Sequence, residues 1–307
     1  MIRLIDADGL RRVLSMTDAI DALEAAFRDE DPSRSAPMRS SVATPAGTLL
    51  LMPAAGERGV GVKLVTMSEF NPQRGLPFIH AAYVLFDRET QQPEAMIDGT
   101  ELTALRTAAL SGLATRKLAR ADPRRLVIFG AGVQATAHLE AMAAVAPVEE
   151  VVIVSRTPEA AGALAGRAAG MGMRASVGEP SAVARADLVC TCTTSRVSLF
   201  DGRLLAEGAH VNAVGSYLPD QRELDTETVR RAKIVVETRE VALAEAGDLL
   251  IPIQEEAIAP EHIVADLAEV VRGAVVRTAD ADVTVFESVG MAFEDLVVAR
   301  AALDAAG

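Results

Sequence analysis

Leu126-Val127-Ile128-Phe129-Gly130-Ala131-Gly132-Val133-Gln134-Ala135 is the stretch that decides the fold. Four apolar residues predict a buried strand. Gly130 then permits a tight turn, and Gly132 lets the backbone approach a pyrophosphate. Ala135, in the third small position, allows close packing of the helix that opens there. That helix N-terminus presents unpaired N–H groups and a partial positive charge to phosphates. A Gly-x-Gly-x-x-Ala run alone is a weak signal. Here it follows a strand, opens a helix over Val133 to Val145 and precedes a second strand over Glu150 to Val154. The stretch therefore predicts a dinucleotide-binding turn.

Strand and helix keep alternating from Asp122-Pro123 onward. The pattern predicts a helix over Pro158 to Ala169 and strands over Ala186–Thr191, Ala209–Val214 and Lys233–Glu237. Near-continuous apolar strands of this kind belong to a parallel sheet covered on both faces, a Rossmann-type α/β domain. The second strand ends at Val154-Ser155-Arg156-Thr157. A site preferring NADH usually carries Asp or Glu here to hold both ribose hydroxyls. This chain has none; Ser155 and Arg156 suit a 2′-phosphate. The expected cofactor is NADPH, with NADH disfavoured.

Before residue 122 the pattern differs. Thr17-Asp18 opens an amphipathic helix through Phe27, and residues 31–37 read as a loop. Strand-like runs follow at 40–44, 48–52, 61–66 and 80–87. They are joined by Gly/Pro turns, as in an antiparallel or mixed sheet. A long helix is expected from Thr100 to Ala119. Arg39, Lys63 and Arg106 are cations beside apolar segments. Each either extends its charged end to solvent or joins a carboxylate-binding cluster, for which arginine's planar fork is suited.

The bulk figures exclude several classes. A net charge of -13 lacks the basic footprint of a nucleic-acid or anionic-membrane partner. No apolar run is long enough to span a bilayer, and the N-terminal residues from Met1 show no secretory pattern. Cys190 and Cys192 sit two apart on a strand-like run, where a disulfide is strained, so both are expected as thiols in a reducing cytoplasm. Four scattered histidines and no spaced Cys/His cluster leave no expected metal site.

Four segments carry a resemblance. Asp98-Gly99-Thr100-Glu101-Leu102-Thr103-Ala104-Leu105-Arg106-Thr107-Ala108-Ala109, Gly130 to Gln134, Asn212-Ala213-Val214-Gly215-Ser216 and Glu287-Ser288-Val289-Gly290-Met291-Ala292 together resemble the ornithine cyclodeaminase / mu-crystallin family. The resemblance implies a Rossmann domain (122–290) inserted in a mixed α+β substrate and dimerisation domain built from both chain ends (1–121 and 291–307), and a homodimer. It implies substrate-carboxylate contacts at Arg39, Lys63 and Arg106. It implies cofactor contacts at Val133, Gln134, Ser155, Arg156, Thr193, Asn212, Ala213 and Val214, with Ser288 near the nicotinamide. Arg106 is also expected beside the cofactor.

One departure narrows the function. Cyclodeaminases carry an aspartate acid/base where this chain has Tyr217, and a lysine where it has Gln221. A phenol is poorly suited to hold a leaving ammonium. Other members reduce cyclic ketimine acids and tend to show a Pro-Asp pair like Pro219-Asp220. The leading expectation is thus NADPH-dependent reduction of Δ1-pyrroline-2-carboxylate or Δ1-piperideine-2-carboxylate to L-proline or L-pipecolate. Lys63 and Asp220 are the candidate catalytic groups, Asp220 reading equally well as a loop or helix-capping residue. An ornithine or lysine cyclodeaminase, an alanine dehydrogenase-like enzyme and a non-catalytic NADPH binder are the alternatives.

Overall fold

A computed structural model describes residues 2–307; Met1, where the N-terminal reading began, lies outside the described residues. The chain divides into two compact units. One comprises the residues up to Thr107 together with Met291–Gly307, and the other Ala108–Gly290.

The first unit contains β1 (Arg3–Ile5), α1 (Ala7–Val13), α2 (Met16–Asp29), α3 (Pro32–Ser35), β2 (Ser40–Thr44), β3 (Gly47–Gly56), β4 (Gly59–Met67), β5 (Ile79–Phe86), β6 (Pro93–Asp98) and the start of α4 (Gly99–Leu118). The expected loop at 31–37 holds the single-turn α3. Asp31 accepts from the Ser33 amide and Pro32 sits in the first turn, where its missing N–H costs nothing. The sheet order is β1-β6-β5-β4-β3-β2, antiparallel except for the β1–β6 pair. Its register places Met52, Lys63, Tyr83, Ile97 and Ile5 in one transverse row, all buried.

The second unit contains β7 (Arg125–Phe129), α5 (Val133–Val145), β8 (Glu150–Val154), α6 (Pro158–Gly170), β9 (Arg174–Val177), β10 (Leu188–Thr191), β11 (His210–Ala213), α7 (Thr226–Arg231), β12 (Lys233–Val236), α8 (Arg239–Glu245), α9 (Gly247–Gln254), β13 (Ile263–Asp266), α10 (Leu267–Val271) and β14 (Thr284–Glu287). All eight strands are parallel in the order β13-β12-β14-β11-β10-β7-β8-β9. The run β9-β8-β7-β10-β11-β14 is the doubly wound 3-2-1-4-5-6 arrangement, whose switch point lies between its first and fourth strands. Those strands are β7 and β10.

Helix α11 (Ala292–Ala305) belongs to the first unit and packs on β3, β4, β5 and α2. The division between units falls within α4, ahead of Asp122-Pro123. The second half of α4 is tied to second-unit residues: Ser111 Oγ lies 2.9 Å from His138 Nε2, and Asn212 Nδ2 donates to Thr115 Oγ1 at 2.9 Å. Among the described residues no helix is long and apolar enough to cross a membrane.

Candidate active site

The β7–α5 turn is built as a phosphate cradle. Gly130 has φ +105°, a conformation only glycine adopts readily. A Cβ on it would also lie 2.5 Å from the Cys192 carbonyl. Gly132 has an ordinary φ of −94°, so its task is different: it is the N-cap of α5, and no side chain caps the helix. A Cβ built on Gly132 meets nothing within 4 Å. Exposed N-terminal amides facing open space are what a pyrophosphate needs, so the residues present fit a dinucleotide. Ala135 is fully buried, which permits close packing of the helix, while Val133 is 61% exposed at its mouth. Gln134 carries a buried Oε1 with no hydrogen-bond partner among the described residues.

Ser155 and Arg156 follow directly on β8. Ser155 Oγ accepts from the Thr157 amide at 3.2 Å, which shapes the turn. Arg156 is exposed on that turn. Thr193 and Val214 stand just past the carboxyl ends of β10 and β11, and Ala213 ends β11. Asn212 was expected to touch the cofactor. Its side chain instead joins a buried network, donating to Thr115 and meeting His210 Nε2 at 3.2 Å. Ser288 is buried and donates to Glu237 Oε1 at 2.5 Å.

In the first unit Lys63 and Arg106 come together. Lys63 is 1% exposed and Arg106 5%. Lys63 Nζ lies 2.9 and 2.8 Å from the two oxygens of Asp295. Arg106 Nη1 donates to Glu294 Oε2 at 2.7 Å, and its Nε lies 3.2 Å from Asp295 Oδ1. Burial lowers the Lys63 pKa to about 8, with Arg106 adding to the effect and Asp295 opposing it. So neither cation extends to solvent; both are held on carboxylates. Extending the β2–β3 register by one residue puts half-buried Arg39 opposite Met52, in the row of Lys63 and Tyr83.

Glu294, Asp295 and Tyr83 were not singled out from the sequence. Two acids inside the apolar run Phe293 to Val298 were the available signal. Tyr83 gave none. Its buried hydroxyl has no hydrogen-bond partner among the described residues, and a Cβ on Gly61 would lie 2.0 Å from it. Asp220 belongs to the second unit. It lies on an exposed loop, where Arg196 Nη1 sits 3.5 Å from its Oδ2. No helix starts beside it, which leaves the loop reading of that residue. Tyr217 is half-buried on the same loop. Among the described residues no group of three or more His, Cys, Asp or Glu side chains is arranged to hold a metal ion.

Comparison with known proteins agrees with this architecture. A Δ1-pyrroline-2-carboxylate reductase of Bacillus cereus is 36% identical, the alignment covering 97% of this chain and 94% of that one. The solved structure of Thermococcus litoralis Δ1-pyrroline-2-carboxylate reductase, in complex with NADH and L-proline, superposes with a TM-score of 0.94 at 36% identity. It covers 99% of this chain and 97% of that one. An archaeal alanine dehydrogenase dimer with bound NAD superposes with a TM-score of 0.93 at 32% identity, over 99% and 96% of the two chains. The family model for ornithine cyclodeaminase/mu-crystallin matches residues 6–306. The phosphate-binding turn, the doubly wound sheet and a match along nearly the whole chain lead to one conclusion: the chain belongs to the ornithine cyclodeaminase/mu-crystallin family.

Proposed function

We propose that this chain reduces the C=N bond of a cyclic imino acid, Δ1-pyrroline-2-carboxylate or Δ1-piperideine-2-carboxylate, with NADPH, giving L-proline or L-pipecolate. The observation that carries the reading is the pair of buried cations, Lys63 and Arg106, in a chain 36% identical to a pyrroline-2-carboxylate reductase. The first unit is then the substrate and dimerisation domain, and the second holds the cofactor.

The chemistry asks little of the protein. The nicotinamide supplies the hydride. Lys63, Arg106 and Arg39 fix the substrate carboxylate, which orients the adjacent imine carbon. Glu294 and Asp295 keep the two buried cations aimed and charged before substrate arrives. The imine nitrogen also needs a proton. The exposure of Asp220 favours water as its source, and Lys63, with its lowered pKa, is the buried group able to relay it.

The test is the initial rate of NADPH oxidation with each imine, against an ornithine control. Turnover of ornithine with none of either imine would overturn the reading. The similarity to an alanine dehydrogenase favours one second reading, amino-acid oxidation and reduction, which predicts ammonia-dependent reduction of pyruvate. Cyclodeamination is disfavoured by Tyr217. NADPH binding without turnover of any of these compounds would mark a non-catalytic binder.

The preference for NADPH rests on Ser155 and Arg156, with no carboxylate at the end of β8. A hydrogen bond to a charged group contributes about 1.5–3 kcal/mol. Arg156→Ala is therefore expected to raise the KM for NADPH roughly 10- to 100-fold while leaving that for NADH unchanged. Equal effects on the two cofactors would remove Arg156 from the 2′-phosphate site.

The partner we propose is a second copy of the chain, docked on the outer face of the six-stranded sheet. Leu4, Met96, Val84, Val62 and Pro53 form one transverse row there, one position along from the buried row that holds Lys63. Leu4 is 77% exposed and Met96 45%.

A further inference from the structure

We propose that Glu223 is a positioning residue that locks together the two loops expected to hold the nicotinamide half of the cofactor. The proposal rests on the reading that the second unit binds NADPH.

The loops leave adjacent strands at the same level, because Thr191 at the end of β10 pairs with Ala213 at the end of β11. In a doubly wound sheet ligands lie beyond the carboxyl edge, and the strands on this side of the switch point serve the second mononucleotide. Glu223 is fully buried and bridges the two loops. Its Oε1 accepts from the Thr193 amide at 2.7 Å and from the Thr193 hydroxyl at 2.6 Å. Its Oε2 accepts from the Gly215 amide at 2.8 Å.

The contacts around this bridge leave little slack. A Cβ on Gly215 would lie 2.2 Å from the Thr193 carbonyl and 2.6 Å from the Glu223 carboxyl carbon. The Glu223 backbone is fixed as well: Asp248 Oδ1 accepts from the amides of Glu223 and Leu224 at 2.8 and 2.6 Å, and the Leu199 amide donates to the Glu223 carbonyl at 2.8 Å. Thr193 is also the neighbour of Cys192, whose carbonyl closes against Gly130. The carboxylate's own contacts, however, join only the two loops to each other.

Only a carboxylate serves all these donors. Both of its oxygens accept, whereas a glutamine must turn an NH2 group toward either Gly215 or Thr193. One loop then loses its anchor and meets a donor instead. Strands β7 and β8, expected to hold the adenosine half, supply none of the donors to the Glu223 carboxylate.

The test compares two probes on the full-length protein: NADPH, and 2′-phospho-ADP-ribose, which lacks the nicotinamide. Glu223→Gln is expected to raise the Kd for NADPH about tenfold and to leave the Kd for 2′-phospho-ADP-ribose within twofold of wild type. Thr193→Val, which removes the hydroxyl donor to Glu223 and with it the acceptor for the Ser195 amide at 3.1 Å, is expected to show the same selectivity at about threefold and covers the case in which the glutamine variant does not fold. Combined, the two substitutions are expected to be less than additive, because they act on one bridge. Unchanged NADPH binding, or equal weakening of both probes, would overturn the proposal. Wild-type protein that binds neither probe would overturn the cofactor reading, and this proposal with it.

Discussion

Replacing Lys63 with Met is expected to raise the KM for the cyclic imino acid by roughly 30-fold to a few thousand-fold, with the Kd for NADPH unchanged. Breaking a buried, hydrogen-bonded charge pair costs about 2–5 kcal/mol, and each 1.36 kcal/mol is tenfold. Lys63 is 1% exposed, so no water replaces the lost ammonium. Methionine fills similar volume, and Asp295 keeps Arg106 Nε at 3.2 Å, which limits the damage to folding. A pH signature separates binding from structure. Lys63 holds a carboxylate only while protonated, and its pKa is lowered to about 8 by burial. Wild-type kcat/KM is therefore expected to fall as pH rises above about 8, and that limb should vanish in Lys63→Met. Asp295→Asn removes the group that opposes this lowering, so its limb should move to lower pH. A Lys63→Met enzyme with an unaltered KM would take Lys63 out of the substrate site.

The same cluster shows where sequence reasoning reaches its limit. Lys63 and Arg106 stood out because charged residues sat in apolar segments. What holds them did not stand out: Asp295 lies 232 positions from Lys63, and Glu294 lies 188 from Arg106. No local pattern specifies such a pairing. It arises from α11 packing onto the sheet. The geometry of the β7–α5 turn, by contrast, was legible because it is local: one glycine for a positive φ, one for an open helix end. Asn212 lies between these cases. Its motif was visible, but the direction of its side chain, into a network with His210 and Thr115, depended on the register of the finished sheet. Strands β9, β13 and β14 escaped notice for another reason. β9 lacks an apolar run and is mostly exposed, β13 ends in Asp266 and β14 in the buried Glu287, whereas the equally short β10 is apolar up to its last residue.

The outer sheet face yields the second large effect. An antiparallel sheet with one solvated face alternates apolar and polar side chains. Here β4 does not: Val60, Val62 and Leu64 point away from the buried row as apolar residues, while Lys63, on the covered face, is the charged one. The Leu4–Met96–Val84–Val62–Pro53 row crosses five strands, about 19 Å at the usual strand spacing. An apolar row of that length, with Leu4, Met96 and Pro53 exposed, is what a docking face presents, and a two-fold dimer presents the same patch twice. Each substitution there therefore counts twice. Val62→Lys is expected to place two ammonium groups in the interface, each costing several kcal/mol if unpaired, so dimers that persist at micromolar concentration should dissociate. Sedimentation should show the wild type at twice the chain mass and Val62→Lys at the chain mass. Leu204→Lys, at a 45% exposed apolar position in the second unit, should leave the mass unchanged. A Val62→Lys protein that still sediments as a dimer would exclude this face as the interface, because unpaired buried ammonium groups cost several kcal/mol each.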